Sequence, residues 1–203
     1  LHGVTFGNST FVSVGLSGTI LTSSDGISWT SRTSGTSNVL RGVTYANSTF
    51  VAVGDSGIIL TSSDGTSWTS RTSGTSIDLH GVTYANSTFV AEGDLGTILT
   101  SSDGTSWTSR TSGTSNHLRG VTYGNSTFVS VGTSGTILTS SDGISWTSRI
   151  SGTSNVLRGV TYANSTFVAL GDSGIILTSS DGISWTSRTS GTSNNLHEVT
   201  YSE

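Results

Sequence analysis

The chain has 203 residues and a formal net charge of −4, with eight Arg, no Lys and twelve acidic residues. It has no Cys, which excludes disulfide bonds and cysteine-based zinc or redox sites. Nucleic-acid binding depends on clustered cations that neutralise phosphates, so dispersed Arg on an acidic chain argues against it. No apolar run approaches the roughly 18 residues of a membrane helix. Because Met is absent, Leu1 is expected to be a processed end or the edge of a longer chain.

Leucine recurs every 39 residues and opens each of five repeats. Self-similarity with a period near forty residues is typical of propellers and solenoids. We therefore interpret 1–203 as a single repeat domain. The repeats are 1–39, 40–78, 79–117, 118–156 and 157–195, and a tail, 196–203, begins the same pattern again.

Four short strands are predicted in chain order within the repeat 40–78, at 43–45, 49–53, 58–61 and 68–71. Runs of Val, Ile, Thr, Tyr and Phe between Gly, Asn, Asp and Ser are the pattern of β-hairpins. The second and third strands are apolar on both faces, as expected of strands covered from both sides. The fourth strand is mostly Thr, Ser and Arg, which suits a solvated outer edge.

The periodicity favours a propeller. No repeat contains a 3.6-residue apolar stripe, so helices are not expected. A β-solenoid is the main competing fold, but its coils are usually shorter and lack three hairpin turns per unit. The predicted fold is all-β, a five-bladed β-propeller of near-identical 39-residue, four-stranded blades.

Each repeat carries the string Ser-Asp-Gly-x-Ser-Trp before its fourth strand. This string resembles the Asp-box, the bacterial neuraminidase repeat. The repeats are most similar to those of photosystem II assembly factors and related bacterial surface proteins, which also place a Val-Gly strand and an Ile-Leu-Thr strand before the box. The common box has one more residue between Asp and Gly, so a tighter turn is expected. The Asp and Trp of the five boxes are Asp25, Trp29, Asp64, Trp68, Asp103, Trp107, Asp142, Trp146, Asp181 and Trp185.

We interpret the box as structural. An Asp in a tight turn accepts backbone N–H groups, and Gly adopts a backbone angle that other residues resist. The Trp is expected to pack between blades or between strands of its own blade.

The family that the repeats resemble includes sialidases, so a catalytic function has to be considered. Sialidases use an arginine cluster, a Tyr activated by Glu and an acidic Asp, and glycoside hydrolysis with two carboxylates needs a defined pair. Here the Arg that follow each box Trp are repeated symmetrically, and no asymmetric cluster of reactive residues is evident. We predict no catalytic residue, no metal site and no cofactor. The repeated arginines are Arg32, Arg71, Arg110, Arg149 and Arg188.

The second position of each repeat is the best candidate for ligand contact. It holds a cation or an imidazole: Arg41, Arg119 and Arg158 in three repeats, and His80 in the third. A polar residue at a strand start is the plainer interpretation of this position. Glu92 is the fifth candidate, because the other repeats have Val or Leu there. A carboxylate in a buried strand needs a partner or a proton. It is interpreted as a drifted residue or as part of one specialised site, and drift is favoured.

An Asn-Ser-Thr triplet follows the first strand of every repeat. The triplet matches an N-glycosylation acceptor, but the same residues are typical of a tight turn, and the turn is favoured. The triplets begin at Asn8, Asn47, Asn86, Asn125 and Asn164.

These observations favour a non-catalytic interaction scaffold outside the cell or on its surface, in a bacterium. The partner is an unidentified protein or glycan. A multivalent lectin with one weak site per blade is the alternative. A photosystem assembly chaperone is disfavoured, since those proteins use a basic patch.

The tail repeats the first-strand pattern of residues 1–6 and is therefore a surplus first strand. Self-association through 1–8 or 196–203 is one expectation, because an unpaired strand edge can pair with another chain. Glu198 and Glu203 put charge on this strand, and we favour closure within one molecule over strand exchange.

Overall fold

The structure, a computed structural model, describes residues 1–201 and contains five four-stranded antiparallel sheets, one for each repeat. Within every sheet the strands follow one another in chain order. The predicted fold class, an all-β five-bladed propeller with repeated blades, is confirmed.

The twenty strands lie where the repeat places them. The first sheet comprises β1 Gly3–Gly7, β2 Thr10–Val14, β3 Ile20–Ser23 and β4 Thr30–Arg32. The second comprises β5 Leu40–Ala46, β6 Thr49–Gly54, β7 Ile59–Ser62 and β8 Thr69–Arg71. The third comprises β9 Leu79–Ala85, β10 Thr88–Gly93, β11 Ile98–Ser101 and β12 Thr108–Arg110. The fourth comprises β13 Leu118–Gly124, β14 Thr127–Gly132, β15 Ile137–Ser140 and β16 Thr147–Arg149. The fifth comprises β17 Leu157–Ala163, β18 Thr166–Gly171, β19 Ile176–Ser179 and β20 Thr186–Arg188.

The chain divides into two units. One contains residues 1–91 and 99–109, and the other contains 92–98 and the residues from 110 onward.

The first hairpin of each sheet turns at the Asn-Ser-Thr triplet. In the second sheet, Tyr45 pairs with Phe50 across the hairpin, and Asn47 and Ser48 have φ of 48° and 58°. Two successive positive φ angles match the right-handed twist of the flanking strands, and Asn tolerates this conformation well. The turn interpretation of the triplet is confirmed.

A one-turn 3-10 helix connects the second strand of each sheet to the third. In the second sheet it spans Asp55–Gly57, and the Ile58 N–H donates to the Asp55 carbonyl at 3.2 Å. The sequence predicts a turn here, and in the structure Ser56 and Gly57 both have positive φ, 56° and 69°, so the turn does not continue as a helix.

Each sheet has two apolar faces with different residues. In the second sheet, the front face consists of Val43, Tyr45, Phe50 and Leu60, and the rear face consists of Val51, Val53 and Ile59. The names front face and rear face denote the equivalent positions in every sheet.

The core forms where the rear face of one sheet packs on the front face of the next. In the first unit, Val12, Val14 and Ile20 pack against Phe50 and Leu60, all with essentially no exposed surface. The second unit repeats the arrangement between its fourth and fifth sheets. Burying one such side chain contributes about 1.5–3 kcal/mol, so each interface carries a substantial part of the stability.

The box Trp lies at the margin of this core. The Trp68 ring centroid is 6.3 Å from that of Phe50, and its indole N–H donates to the Gly65 carbonyl at 2.9 Å. Trp68 is half-buried, whereas the fourth strand that follows is largely exposed. The Trp therefore joins the turn to the core, and part of its side chain stays exposed.

No helix among the described residues is long and apolar enough to cross a membrane.

Replacing Trp107 with Ala should lower the free energy of unfolding by about 2–3 kcal/mol, because its ring is half-buried rather than fully enclosed. Trp29 is the matched control, because the same ring there is 40% exposed. Trp29→Ala should cost about 1 kcal/mol. Urea denaturation of both variants measures the difference, and equal losses would contradict the packing role.

Candidate functional site

The Asp of each box is fully engaged in its own turn. Asp64 Oδ1 accepts the N–H groups of Thr66 at 2.8 Å and Ser67 at 3.0 Å, and the Ser62 hydroxyl at 3.0 Å. The Ser67 N–H bond is the largest of the causes that hold the pKa of Asp64 well below its usual range. A carboxylate that is strongly ionised and saturated with donors stabilises the turn and makes a poor general acid.

Arginines at the second repeat position form ion pairs inside their own sheets. Arg158 Nε donates to Asp172 Oδ1 at 2.5 Å and Nη2 donates to Oδ2 at 3.1 Å. Arg41 and Asp55 make the equivalent bidentate pair in the second sheet. These two predicted contact residues therefore tie the first strand to the 3-10 turn, while both side chains keep some exposure. His80, at the same position in the third sheet, is half-buried.

The fourth sheet departs from this pairing, because Thr133 stands where the second, third and fifth sheets have Asp. Arg119 instead has its Nη1 at 3.7 Å from Asp94 Oδ1, in the turn of the preceding repeat. His117 Nδ1 lies 2.8 Å from the same oxygen. The second unit therefore holds one asymmetric polar cluster, Asp94–His117–Arg119.

Glu92 lies two residues before Asp94 in the chain and has no exposed surface. The Ser130 hydroxyl donates to its Oε2, and Oε1 has no hydrogen-bond partner among the described residues. Burial raises the pKa of Glu92 to about 8, against the lowering effects of the Ser130 bond and the Arg119 charge. With no exposed atom, Glu92 shapes the interior and does not offer a surface for a ligand.

The sequence alone did not identify a hydrogen-bond partner for Glu92. Ser130 lies in the following repeat, one position before the equivalent of Glu92. Three of the five repeats have Ala at the position of Ser130. The matched change, Glu in one repeat and Ser in the next, was the available signal. It becomes interpretable once the structure shows that the rear face of one sheet meets the front face of the next.

Two grooves lined mainly by Ser, Thr and Gly lie beside the links between repeats. The groove in the first unit has a volume of about 460 Å³ and is lined by 56–58 and 71–76. The groove in the second unit has a volume of about 560 Å³ and is lined mainly by 134–136 and 148–154. Both combine a 3-10 turn, a Ser/Thr/Gly link and one Arg of the fourth strand.

The groove arginines are held in a fixed orientation. Arg71 Nε donates to Thr61 Oγ1, and Arg149 Nε donates to Thr139 Oγ1, both at 2.8 Å. Arg149 also lines a separate cavity of about 280 Å³ beside Thr127 and Ile183. The terminal nitrogens of both guanidinium groups have no partner among the described residues. In the sequence, the symmetric repetition of these arginines argues only against a single active site, and the structure adds their place in the grooves.

A metal centre finds no support in residues 1–201, which contain no group of three or more His, Asp or Glu positioned to hold a metal ion.

No protein-family profile and no curated protein sequence matches the chain. Solved structures resemble it in fold. A structure of YCF48 bound to D1 peptide superposes with a TM-score of 0.69 at 20% identity, over 89% of this chain and 63% of that one. YCF48 from Cyanidioschyzon merolae gives 0.71 at 17% identity, over 96% and 73%. The computationally designed Ika8 protein gives 0.79 at 14% identity, over the whole of this chain and 65% of that one.

These likenesses agree with the repeat resemblance seen in the sequence. At such low identity they establish the fold and not the activity. This chain spans less than two thirds of the peptide-bound YCF48 chain and of the designed protein.

Replacing Glu92 with Val should stabilise the protein, and increasingly so as the pH rises. The unfolded carboxyl ionises near pH 4.5, whereas in the folded protein its pKa is about 8. Between these values the unfolded state loses a proton that the folded state keeps, so the stability of the parent protein falls with pH and levels off above 8. The gain of Glu92→Val should therefore grow by a few kcal/mol between pH 4.5 and pH 8.

Chemical denaturation at the two pH values measures this gain. Glu92→Gln is the matched variant, because it removes the titration but keeps a polar side chain in the site. A gain that is independent of pH in Glu92→Val would contradict the assigned titration.

Proposed function

We propose that the chain is a non-catalytic scaffold that binds an extended, acidic segment of a protein partner in its polar grooves. The observation that carries this proposal is the recurrence of one groove with one fixed arginine in both units. A repeated, shallow polar groove suits several contacts along an extended peptide better than it suits a single reaction centre.

The chemistry of the grooves selects the segment. Arg71 and Arg149 present guanidinium groups whose Nε is anchored, so their terminal N–H groups are oriented before a ligand arrives. A planar guanidinium recognises a carboxylate with two parallel hydrogen bonds. The Ser and Thr of the links add hydroxyl donors and acceptors for a peptide backbone. An extended peptide with Asp or Glu side chains complements these groups.

The comparisons lend this proposal general support. YCF48, a propeller of related fold, has been solved with a D1 peptide. The present chain shares that architecture at low identity, and its own groove residues define the ligand proposed here.

A location outside the cell or on the bacterial cell surface is part of the proposal. The charged fraction is 10%, and Ser, Thr and Gly take the place of charges on the surface. Such a hydroxyl-rich surface suits a protein outside the cell, and the absence of Cys does not exclude that location.

A multivalent lectin is the second candidate, because hydroxyl-lined grooves recur in both units. Against it, neither groove is lined by Trp, Tyr or Phe, so a sugar ring would find no aromatic face to stack on. Inhibition of binding by a free monosaccharide would favour the lectin over the peptide scaffold.

The test measures fluorescence anisotropy of labelled ten-residue peptides, one rich in Asp and Glu and one with Asn and Gln in their place. The acidic peptide should bind, and Arg71→Gln with Arg149→Gln should weaken binding at least tenfold. Raising the salt concentration should also weaken it. Arg41→Gln is the matched control, because Arg41 lies outside both grooves and is paired with Asp55. Equal binding of both peptides, or equal losses in the two variants, would contradict the proposal.

A further inference from the structure

An exposed aliphatic side chain lies in the groove of the second unit. Ile150 lines this groove together with Arg149, and it is 89% exposed. The other four repeats have Thr at the position of Ile150. Because so little of Ile150 is buried, it adds little to the core, and the packing of the sheets does not explain why Ile stands there.

A second exposed aliphatic side chain lies across the link that borders this groove. Residues of the link 113–116 line the groove, and the turn Asp94–Gly96 of the third sheet packs against the same link. A Cβ at Gly96 would lie 2.0 Å from the Thr114 carbonyl oxygen. Leu95, in the middle of this turn, is 57% exposed. The link therefore has Leu95 on one side and the groove on the other.

The conformation of the turn does not require Leu95. Its φ is 54°, in the left-handed region that bulky residues rarely adopt. The other four sheets have Ser at this position, with φ between 52° and 57°. The turn therefore has the same conformation with either residue. Residues held in such sparsely populated conformations are concentrated at binding sites, so a ligand contact is the natural role for Leu95.

The groove of the first unit presents a different apolar surface. Thr72 takes the place of Ile150, and Ile58, which also lines that groove, is half-buried and packed against the core. In the second unit, Thr136 stands at the position of Ile58, and its hydroxyl donates to the Thr133 carbonyl at 2.7 Å. The two grooves thus share an anchored arginine, but in the second unit the aliphatic side chain is exposed and adjacent to that arginine in the chain.

We propose that the groove of the second unit binds acidic protein segments that carry aliphatic residues beside the acid, with the carboxylate on Arg149 and the aliphatic side chains on Ile150 and Leu95. This inference rests on the proposed function and specifies which acidic segments the groove selects. The guanidinium group binds the carboxylate, and contact with exposed aliphatic side chains removes apolar surface from water. Charge alone does not distinguish one acidic segment from another, whereas the aliphatic contact does.

The test isolates the second groove with an Arg71→Gln background, which removes the anchored guanidinium group of the first groove. Fluorescence anisotropy compares three labelled peptides. In the first, Asp and Glu alternate with Leu; in the second, Ser replaces Leu; in the third, Asn and Gln replace the acids. The first peptide should bind about tenfold more tightly than the second, and the third should bind most weakly.

Two variants assign this preference to the two aliphatic residues. Ile150→Thr with Leu95→Ser restores the residues of the other repeats, so it should keep the fold, which circular dichroism checks. It should lower the affinity for the Leu peptide to that for the Ser peptide. Ile144→Thr is the matched control, because Ile144 is also exposed but lies in the box of the fourth sheet, outside the groove. This variant should keep the full preference for Leu.

The salt concentration separates the two contributions. Added salt should weaken the binding of both acidic peptides by a similar factor, so the preference for Leu should persist. Equal binding of the two acidic peptides, lost in both with Arg149→Gln, would overturn this inference and leave the proposed function standing. A preference for Leu that survives Ile150→Thr with Leu95→Ser would also overturn it. If no peptide binds, or if the peptide without acids binds as tightly as the others, the proposed function itself fails, and this inference fails with it.

Discussion

The structure depends on one contact, the packing of a Val/Val/Ile rear face on a Phe/Leu front face. In the second unit, Val129, Val131 and Ile137 meet Phe167 and Leu177 in this way. The contact demands strands that are apolar on both sides, and hence the near-continuous hydrophobic second and third strands of every repeat. Other features support this contact. The hairpin turn sets the register of the strands, and the box anchors the fourth strand at the margin of the core.

The turns show why so few charges suffice for this fold. Asp103 accepts the N–H groups of Thr105 and Ser106, while the Ser101 hydroxyl receives those of Asp103 and Gly104. Local polar side chains thus satisfy the backbone groups that a tight turn leaves unpaired. Ser, Thr and Asp therefore stabilise the turns of each repeat, and this role explains their abundance without reference to a ligand.

The repeat length, the four strands, the hairpin turns and the polarity of the outer strand could all be predicted from the sequence. Each is a local pattern that recurs five times, so chance variation in one repeat does not obscure it. The structural role of Asp64 followed from the same local chemistry.

The contacts between sheets could not be predicted. Knowing that Glu92 needs a partner does not reveal Ser130, 38 residues away, until the facing surfaces are known. The place of the groove arginines could not be predicted either, because a residue that is present in every repeat does not distinguish one repeat from another. Arg71 and Arg149 acquire meaning only from the turns and links that surround them.

The pairing of Glu92 with Ser130 has a consequence for how the chain finds its order. Near-identical interfaces make many wrong neighbours almost as good as the right one, and such degeneracy slows folding and favours mispaired assemblies. Ala replaces Ser at this front-face position in the second, third and fifth sheets. An Ala opposite Glu92 would leave the buried carboxyl group without its hydroxyl partner. Only the first and fourth repeats carry Ser at this position, so this one polar pair reduces the number of surfaces that can satisfy Glu92.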